Sequence, residues 1–500
     1  MNKRVLSSSY IGVESFLVDV EVDISNGLPN FSIIGLGDTA ISESKDRIRT
    51  ALKNSGFKLE PKKIIVNLSP AGIKKEGAHF DLPIAVGIMM AMGFLKDRYS
   101  ILDNYLFLGE LSLTGEIKRV RGALNSVIFA KEKGYKGVVL PLENYQEAIL
   151  IRGVDIIPVK NLQEVGEFIS KNIVKSVQEK IVVSEEKEEL DFSDVKGQSM
   201  AKRALEIAAA GKHNVIMIGS PGSGKTMLCK RITTILPLLN EKEVIESTKI
   251  YSIAGELSEN KPIIDTPPFR APHHTSTPVA IIGGGKKVVP GEVSLASGGV
   301  LFLDELAEFP RSVLESLRQP LEDGVVSISR AQYRVEFKTD FIFIGASNPC
   351  PCGFLLDDNG KCNCTQTEIN KYMKKISGPI MDRIDLHVEM RRLTEEELMI
   401  YKSGESSKEI KERVLKARKI QKKRYGEGIY NGTISQKQIQ KYCKLSQENR
   451  EYFKKVIQVM EISARGYDKI LKVARTIADL AGSKNIEREH LMEAVSFRNK

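Results

Sequence analysis

A chain of 500 residues is too long for one hydrophobic core, and about three domains of roughly 100 to 200 residues are expected. With 42% hydrophobic and 28% charged residues it reads as soluble and globular, which excludes fibrous and disordered classes. The formal charge of +10 gathers at one end, where Tyr401 to Lys500 hold 24 Lys and Arg against 12 Asp and Glu. That surplus suits a polyanion such as DNA, or a solvated lysine-rich helix surface.

In chain order, residues 1–172 mix β-rich runs (Val18 to Val22, Phe31 to Ile34, Lys63 to Asn67) with helical stretches (Ser42 to Asn54, Pro83 to Leu95), an α+β pattern. Glu14 and Asp19 interrupt the N-terminal run that could imitate a signal peptide. The longest apolar stretch, Ala85 to Leu95, falls short of the roughly 20 residues a bilayer needs. A cytoplasmic protein with no membrane partner is therefore expected. Residues 173–190, ending in "SEEKEEL", have the composition of a linker. From 191 to 393, the runs Val215 to Ile218, Val300 to Leu303 and Phe341 to Ile344 suit a parallel sheet buried on both faces, an α/β domain. Residues 394–500 carry helical periodicity (Ile410, Val414, Ala417; Ile470, Val473, Ile477) and read as a helical lid.

The stretch "GSPGSGKT", Gly219, Ser220, Pro221, Gly222, Ser223, Gly224, Lys225 and Thr226, follows the first of those runs. A phosphate chain lies against bare backbone N–H groups there, which side chains would obstruct; Lys225 would neutralise β- and γ-phosphates and Thr226 would hold Mg²⁺. "GGVLFLDELAEF" ends its apolar run in Asp304 and Glu305, the first suited to the Mg²⁺ shell and the second to polarising the attacking water. "FIFIGASNP" ends at Asn348, placed to orient that water. ATP and Mg²⁺ are thus the expected cofactors. Cys350, Cys352, Cys362 and Cys364, spaced C-x-C, nine residues, C-x-C, match a closed structural Zn²⁺ site within 350–364, with free buried thiols or a redox pair as alternatives. The adjacent His273 and His274 receive no role.

"FSDVKGQ" (192–198), the phosphate loop, "LFLDE", "GASNPCPCG" and "SGPIMDRIDLH" (377–387) together resemble the AAA+ ATPases of the magnesium-chelatase-like family, in its YifB/ComM group. "GLPNFSIIGLGDTAISESKDRIRTAL" and "SARGYDKILKVARTIADLAG" (463–482) extend the resemblance over essentially the whole chain. It implies an N-terminal α+β Lon-protease-like domain, a central α/β AAA+ P-loop domain and a C-terminal α-helical lid domain. By the same resemblance Asn348 is the γ-phosphate sensor, Arg383 the arginine finger inserted into a neighbouring subunit's site, and Arg465 the second sensor, with Arg475 a weaker choice. A finger supplied by a neighbour implies a ring, a homo-hexamer by analogy.

The long insertion "FRAPHHTSTPVAIIGGGKKVVPGEVSLASGG" (269–299) resembles a pore loop, with Gly283 to Gly285 giving mobility and Lys286 and Lys287 meeting phosphates. The hairpin "VVSISRAQYRVEF" (325–337) presents Arg330 and Arg334 as further DNA contacts. Where a Lon fold would carry its nucleophilic serine, "PAGIKKEGAHFDLPIA" (70–85) offers Ala78, His79 and Asp81. The N-terminal domain is therefore expected to be non-proteolytic. The resemblance implies an ATP-driven ring motor on single-stranded or branched DNA, a helicase or branch-migration factor in recombination or natural transformation. The alternatives are a chelatase-like ATPase remodelling a protein partner, with no porphyrin expected, and an ATP-dependent protease.

Overall fold

The structure is a computed structural model that describes residues 2–175, 190–285, 288–329, 334–357, 362–376, 380–394, 396, 399 and 404–498. Most of the 173–190 linker lies outside these residues. Contacts divide the chain into two compact units, residues 1–185 with 241–264 and 329–335, and residues 186–240 with 265–328 and 336–500. The helix Glu241–Ala254 thus groups with the first unit, although it falls inside the 191–393 stretch that sequence assigns to one domain. Side-chain packing decides this: Ile245 joins the apolar cluster of Leu124, Val127 and Leu140, and the Gly122 amide donates to the Ser252 carbonyl at 3.2 Å.

In the first unit, strands Asn2–Ile11, Glu14–Ser25 and Lys63–Ser69 pair antiparallel, and Asn30–Ile34 adds a parallel edge. Alternate residues Val18, Val20 and Val22 face a helix, Asp81–Ala91, that is buried from Asp81 to Met90. A helix apolar all round belongs in a core, and Gly87 lets this one close on Val22. A second, parallel sheet joins Tyr105–Phe107, Gly137–Pro141 and Asp155–Val159. Among the described residues, no helix is long and apolar enough to cross a membrane.

The second unit holds a five-stranded parallel sheet, in the order Phe269–Arg270, Val300–Leu303, Ile342–Ser347, Val215–Gly219, Leu386–Met390. Val215, Met217, Val300, Phe302 and Ile344 point to one face, where the helices Ser199–Gly211, Ser407–Tyr425 and Ala464–Leu480 complete a core. Ile216, Leu301, Leu303 and Phe343 point to the other, against Leu306, Phe309, Tyr372 and Ile376. Burial on both faces is why these strands read as continuous apolar runs rather than alternating ones. The C-terminal helices share a core with the sheet, and the parallel α/β core with its helical C-terminal region matches the architecture read from sequence.

Candidate nucleotide site and metal knuckle

Three neighbouring strands end together at the carboxyl edge of the sheet, where α/β proteins bind ligands. Gly219 closes the strand Val215–Gly219 beside Met390, and a Cβ there would overlap the Met390 carbonyl. Gly222 and Gly224 take φ of +78° and +88°, which a side chain would strain, and a Cβ on Gly222 would meet nothing within 4 Å. The loop therefore offers open backbone. Inside it the Ser220 and Ser223 hydroxyls are buried and have no hydrogen-bond partner, so a polar group is called for.

Lys225 is buried, and its Nζ donates to the carbonyls of Gly219 (2.5 Å) and Ser220 (3.0 Å) and to Asn348 Oδ1 (3.4 Å). Burial lowers its pKa, with Asp304 acting weakly the other way. An ammonium held by neutral oxygens exchanges them readily for a phosphate, whose charge-assisted bonds are stronger. Thr226 Oγ1 donates to Asp304 Oδ2 at 2.6 Å, bringing the hydroxyl and carboxylate that would hold Mg²⁺ side by side. The Asp304 carboxylate also accepts the Glu305 amide at 3.0 Å. Glu305 has φ of +51°, a left-handed conformation costing on the order of 1–3 kcal/mol for a non-glycine residue. Its carboxylate is exposed. These residues fit Mg-ATP.

His274 lies 3.2 Å from Glu305 Oε2 through Nδ1, with its ring edge-on to Phe309. Sequence reasoning left His274 without a role; only the sheet brings residue 274 to residue 305.

Arg383 and Arg465 stand elsewhere. Arg383 precedes the strand Leu386–Met390, whose Leu386 pairs with Val215, so it sits at the amino edge of the sheet, opposite the phosphate loop. Its guanidinium pairs with Glu322. Arg465, largely exposed, lies 3.7 Å from Asp382, and both arginines line one cleft of about 560 Å³ with Lys469 and Lys472. Arg475 departs from the lid role: it is 2% exposed and donates to the carbonyls of Ser483 and Lys484, because it closes the end of its own helix.

Beneath Arg383 lies a polar network. Asp385 faces His213 Nδ1 at 3.3 Å and Lys469 at 3.4 Å, and Lys469 Nζ and Arg498 Nη1 donate to the Ile384 carbonyl at 2.9 and 2.7 Å. Burial alone would raise the Asp385 pKa, but Lys469 and His213 overcome it and the group titrates below the usual carboxylate range.

The four cysteines of 350–364 come together, all Sγ atoms within 4.8 Å of one another. Cys350 lies 3.3 Å from Cys352 and 3.7 Å from Cys362, and Cys352 lies 3.6 Å from Cys362. A tetrahedron with Zn–S bonds of ~2.3 Å has edges of ~3.8 Å, so the set fits such an ion.

Of the residues proposed to meet DNA, Lys286, Lys287 and Arg330 lie outside the described residues. Arg334 is exposed on the strand Arg334–Lys338. Gly283 and Gly284, expected in a mobile loop, instead form a short buried ladder with Val289–Pro290, and a Cβ on Gly283 would sit 2.6 Å from the Val289 carbonyl. Glycine serves close backbone approach there. In the first unit His79 is buried with Nε2 unpartnered, and Asp81 is held by Arg47 at 2.6 Å.

Residues 191–398 match the family described as magnesium chelatase, subunit ChlI; residues 20–144 match subunit ChlI of Mg-chelatase; residues 404–498 match the ChlI C-terminal family. The chain is 40% identical over 501 residues to competence protein ComM of Haemophilus influenzae, covering 99% of this chain and 97% of that protein. It is 40% identical over 490 residues to the uncharacterized protein YifB of Escherichia coli, covering 98% and 95%. Over 133 residues it is 37% identical to Lon protease 2 of Bacillus subtilis, covering 26% of this chain and 23% of that one.

Proposed function

On the premise that this chain belongs to the magnesium-chelatase-like AAA+ family, in its YifB/ComM group, we propose that it is a Mg-ATP-hydrolysing ring motor acting on DNA. One observation carries the ATPase part: Lys225, the Thr226–Asp304 pair, Glu305 and Asn348 converge at the carboxyl edge of one sheet. The loop amides and Lys225 bind the phosphates. Glu305 takes a proton from water as its oxygen attacks the γ-phosphorus, the bond to the β-phosphate oxygen breaks, and ADP and phosphate leave. Mg²⁺, held through Thr226 and Asp304, would neutralise charge on the β- and γ-oxygens. Asn348 orients the water, and Arg383 of a neighbouring copy meets the charge spreading over the γ-phosphoryl oxygens. Arg465, in the same cleft as Arg383, serves that neighbour's site too. A closed ring, a hexamer by family analogy, supplies each site with a neighbour. The four thiolates are read as a structural Zn²⁺ site.

The DNA part is supported by the basic C-terminal stretch and by a full-length relative named as a competence protein. A second reading, remodelling of a protein partner, is favoured by the chelatase descriptions of all three matched families. The ATPase rate, with and without single-stranded and forked DNA at two salt concentrations, separates them. Salt-sensitive stimulation that is absent in Lys225→Ala supports the DNA motor. Hydrolysis indifferent to DNA refutes it and favours the protein partner. A protease is the weakest reading, since the stretch 70–85, where a Lon fold would carry its nucleophilic serine, offers Ala78, His79 and Asp81 and no serine among them.

A further inference from the structure

The cysteine cluster is wired into the nucleotide site from two sides. Cys350 follows Asn348 by two residues and is fully buried, and the Gly353 amide donates to its carbonyl at 3.0 Å, closing a tight turn. Gly353 has φ of +86°, and a Cβ there would sit 2.7 Å from Pro221 Cδ. The turn that carries Cys350 and Cys352 therefore packs directly on the phosphate loop, next to the side chain that faces Lys225. The other pair, Cys362 and Cys364, leads straight into the helix Gln366–Ile376. Tyr372 and Ile376 of that helix share a core with Leu306, Ala307 and Phe309, the turn that follows Glu305, and Lys375 lies 3.7 Å from Glu308. The four sulfurs thus tie the Asn348 side of the site to the Glu305 side.

We propose that a divalent ion of the Zn²⁺ class, held by Cys350, Cys352, Cys362 and Cys364, is a positioning element for ATP hydrolysis: it fixes Asn348 and the Glu305 turn against the phosphate loop. This rests on the ATPase reading above. The physical basis is that four metal–sulfur bonds constrain two chain segments far more tightly than the neighbouring side-chain contacts do, and reacting groups displaced by ~1 Å lose about a hundredfold in rate. The cysteines act through Asn348 and Glu305 and touch no phosphate themselves.

The test uses the full chain. Metal content is measured on the purified protein, and kcat and ATP affinity are followed after a Zn²⁺-selective chelator is applied and dialysed away, then after Zn²⁺ is returned. The expected result is one Zn²⁺ per chain, a fall in kcat of about ten- to a hundredfold with ATP affinity held within about threefold, and recovery on re-addition. Cys362→Ser/Cys364→Ser should reproduce the loss, and in an Asn348→Ala background the same two changes should cost clearly less than in the wild type, since the part of their effect that runs through Asn348 is already gone and only the part through the Glu305 turn is left. Metal-free purified protein, an unchanged kcat after metal removal, or full additivity with Asn348→Ala would each overturn the proposal. If the metal-loaded wild type hydrolyses no ATP, the ATPase reading itself falls; hydrolysis that ignores the metal sinks only this inference.

Discussion

The side-chain amide of Asn214 donates to the carbonyl of Arg383 at 3.1 Å. Asn214 stands just before the strand that ends in Gly219, so this bond pins the arginine to the opposite end of that strand from the phosphate loop. The five residues of extended chain Val215–Gly219 make four steps and span about 13 Å. Arg383 thus sits apart from its own chain's Lys225, and a catalytic use of it requires a second copy.

ATP turnover per chain should therefore rise with protein concentration and reach a plateau as rings fill. Arg383→Ala should lower the plateau kcat by about a thousandfold while leaving ATP binding nearly intact, the size expected for loss of an arginine finger. A wild-type turnover per chain independent of concentration down to dilute monomer would contradict this.

Glu305→Gln should bind Mg-ATP with affinity close to wild type and hydrolyse it at least about a hundredfold more slowly, because only proton removal is lost. His274→Ala leaves the carboxylate chemistry in place but removes the ring 3.2 Å from Glu305, and a kcat loss of about three- to tenfold with unchanged KM is expected. Steady-state kinetics of both variants decide it; a change in KM alone for His274→Ala would assign that ring to substrate binding instead.

Burial pushes the His79 imidazole down to about 4 from 6.5. Between those values the unfolded chain binds a proton that the folded chain refuses, so stability falls as pH falls from about 6.5 toward 4. At pH 5 this amounts to roughly 2 kcal/mol. Asp81, raised to about 6 chiefly by burial and partly offset by Arg47, acts in the opposite sense, its contribution being lost as pH rises through about 6. Both proteins compared keep Asp81, so thermal unfolding of wild type and His79→Gln at pH 7 and pH 5 isolates the histidine. The wild type should lose several degrees more than the variant on acidification.

The sheet, the phosphate loop and the Asp304 strand were legible because each is local: an apolar run, then glycines or carboxylates at its end. Asn348 and the cysteine cluster were legible for the same reason, as residues in or just behind one strand. His274 was not, since its partner lies 31 residues away and meets it only across the sheet. Glycines 283 and 284 misled because glycine serves mobility and close backbone approach alike, and only the Val289 carbonyl distinguishes the two. The grouping of the helix Glu241–Ala254 with the first unit was equally hidden, for its periodicity records that one face is buried and not against what.

The measurement that tests the composite site most directly mixes two inactive proteins, Lys225→Ala and Arg383→Ala, and follows ATP hydrolysis. In a mixed ring an intact phosphate loop on an Arg383→Ala chain meets an intact arginine on a Lys225→Ala neighbour, so activity should return to a substantial fraction of wild type. A mixture as inactive as its parts, under conditions where mixed rings are shown to form, would contradict a site completed by the neighbouring chain.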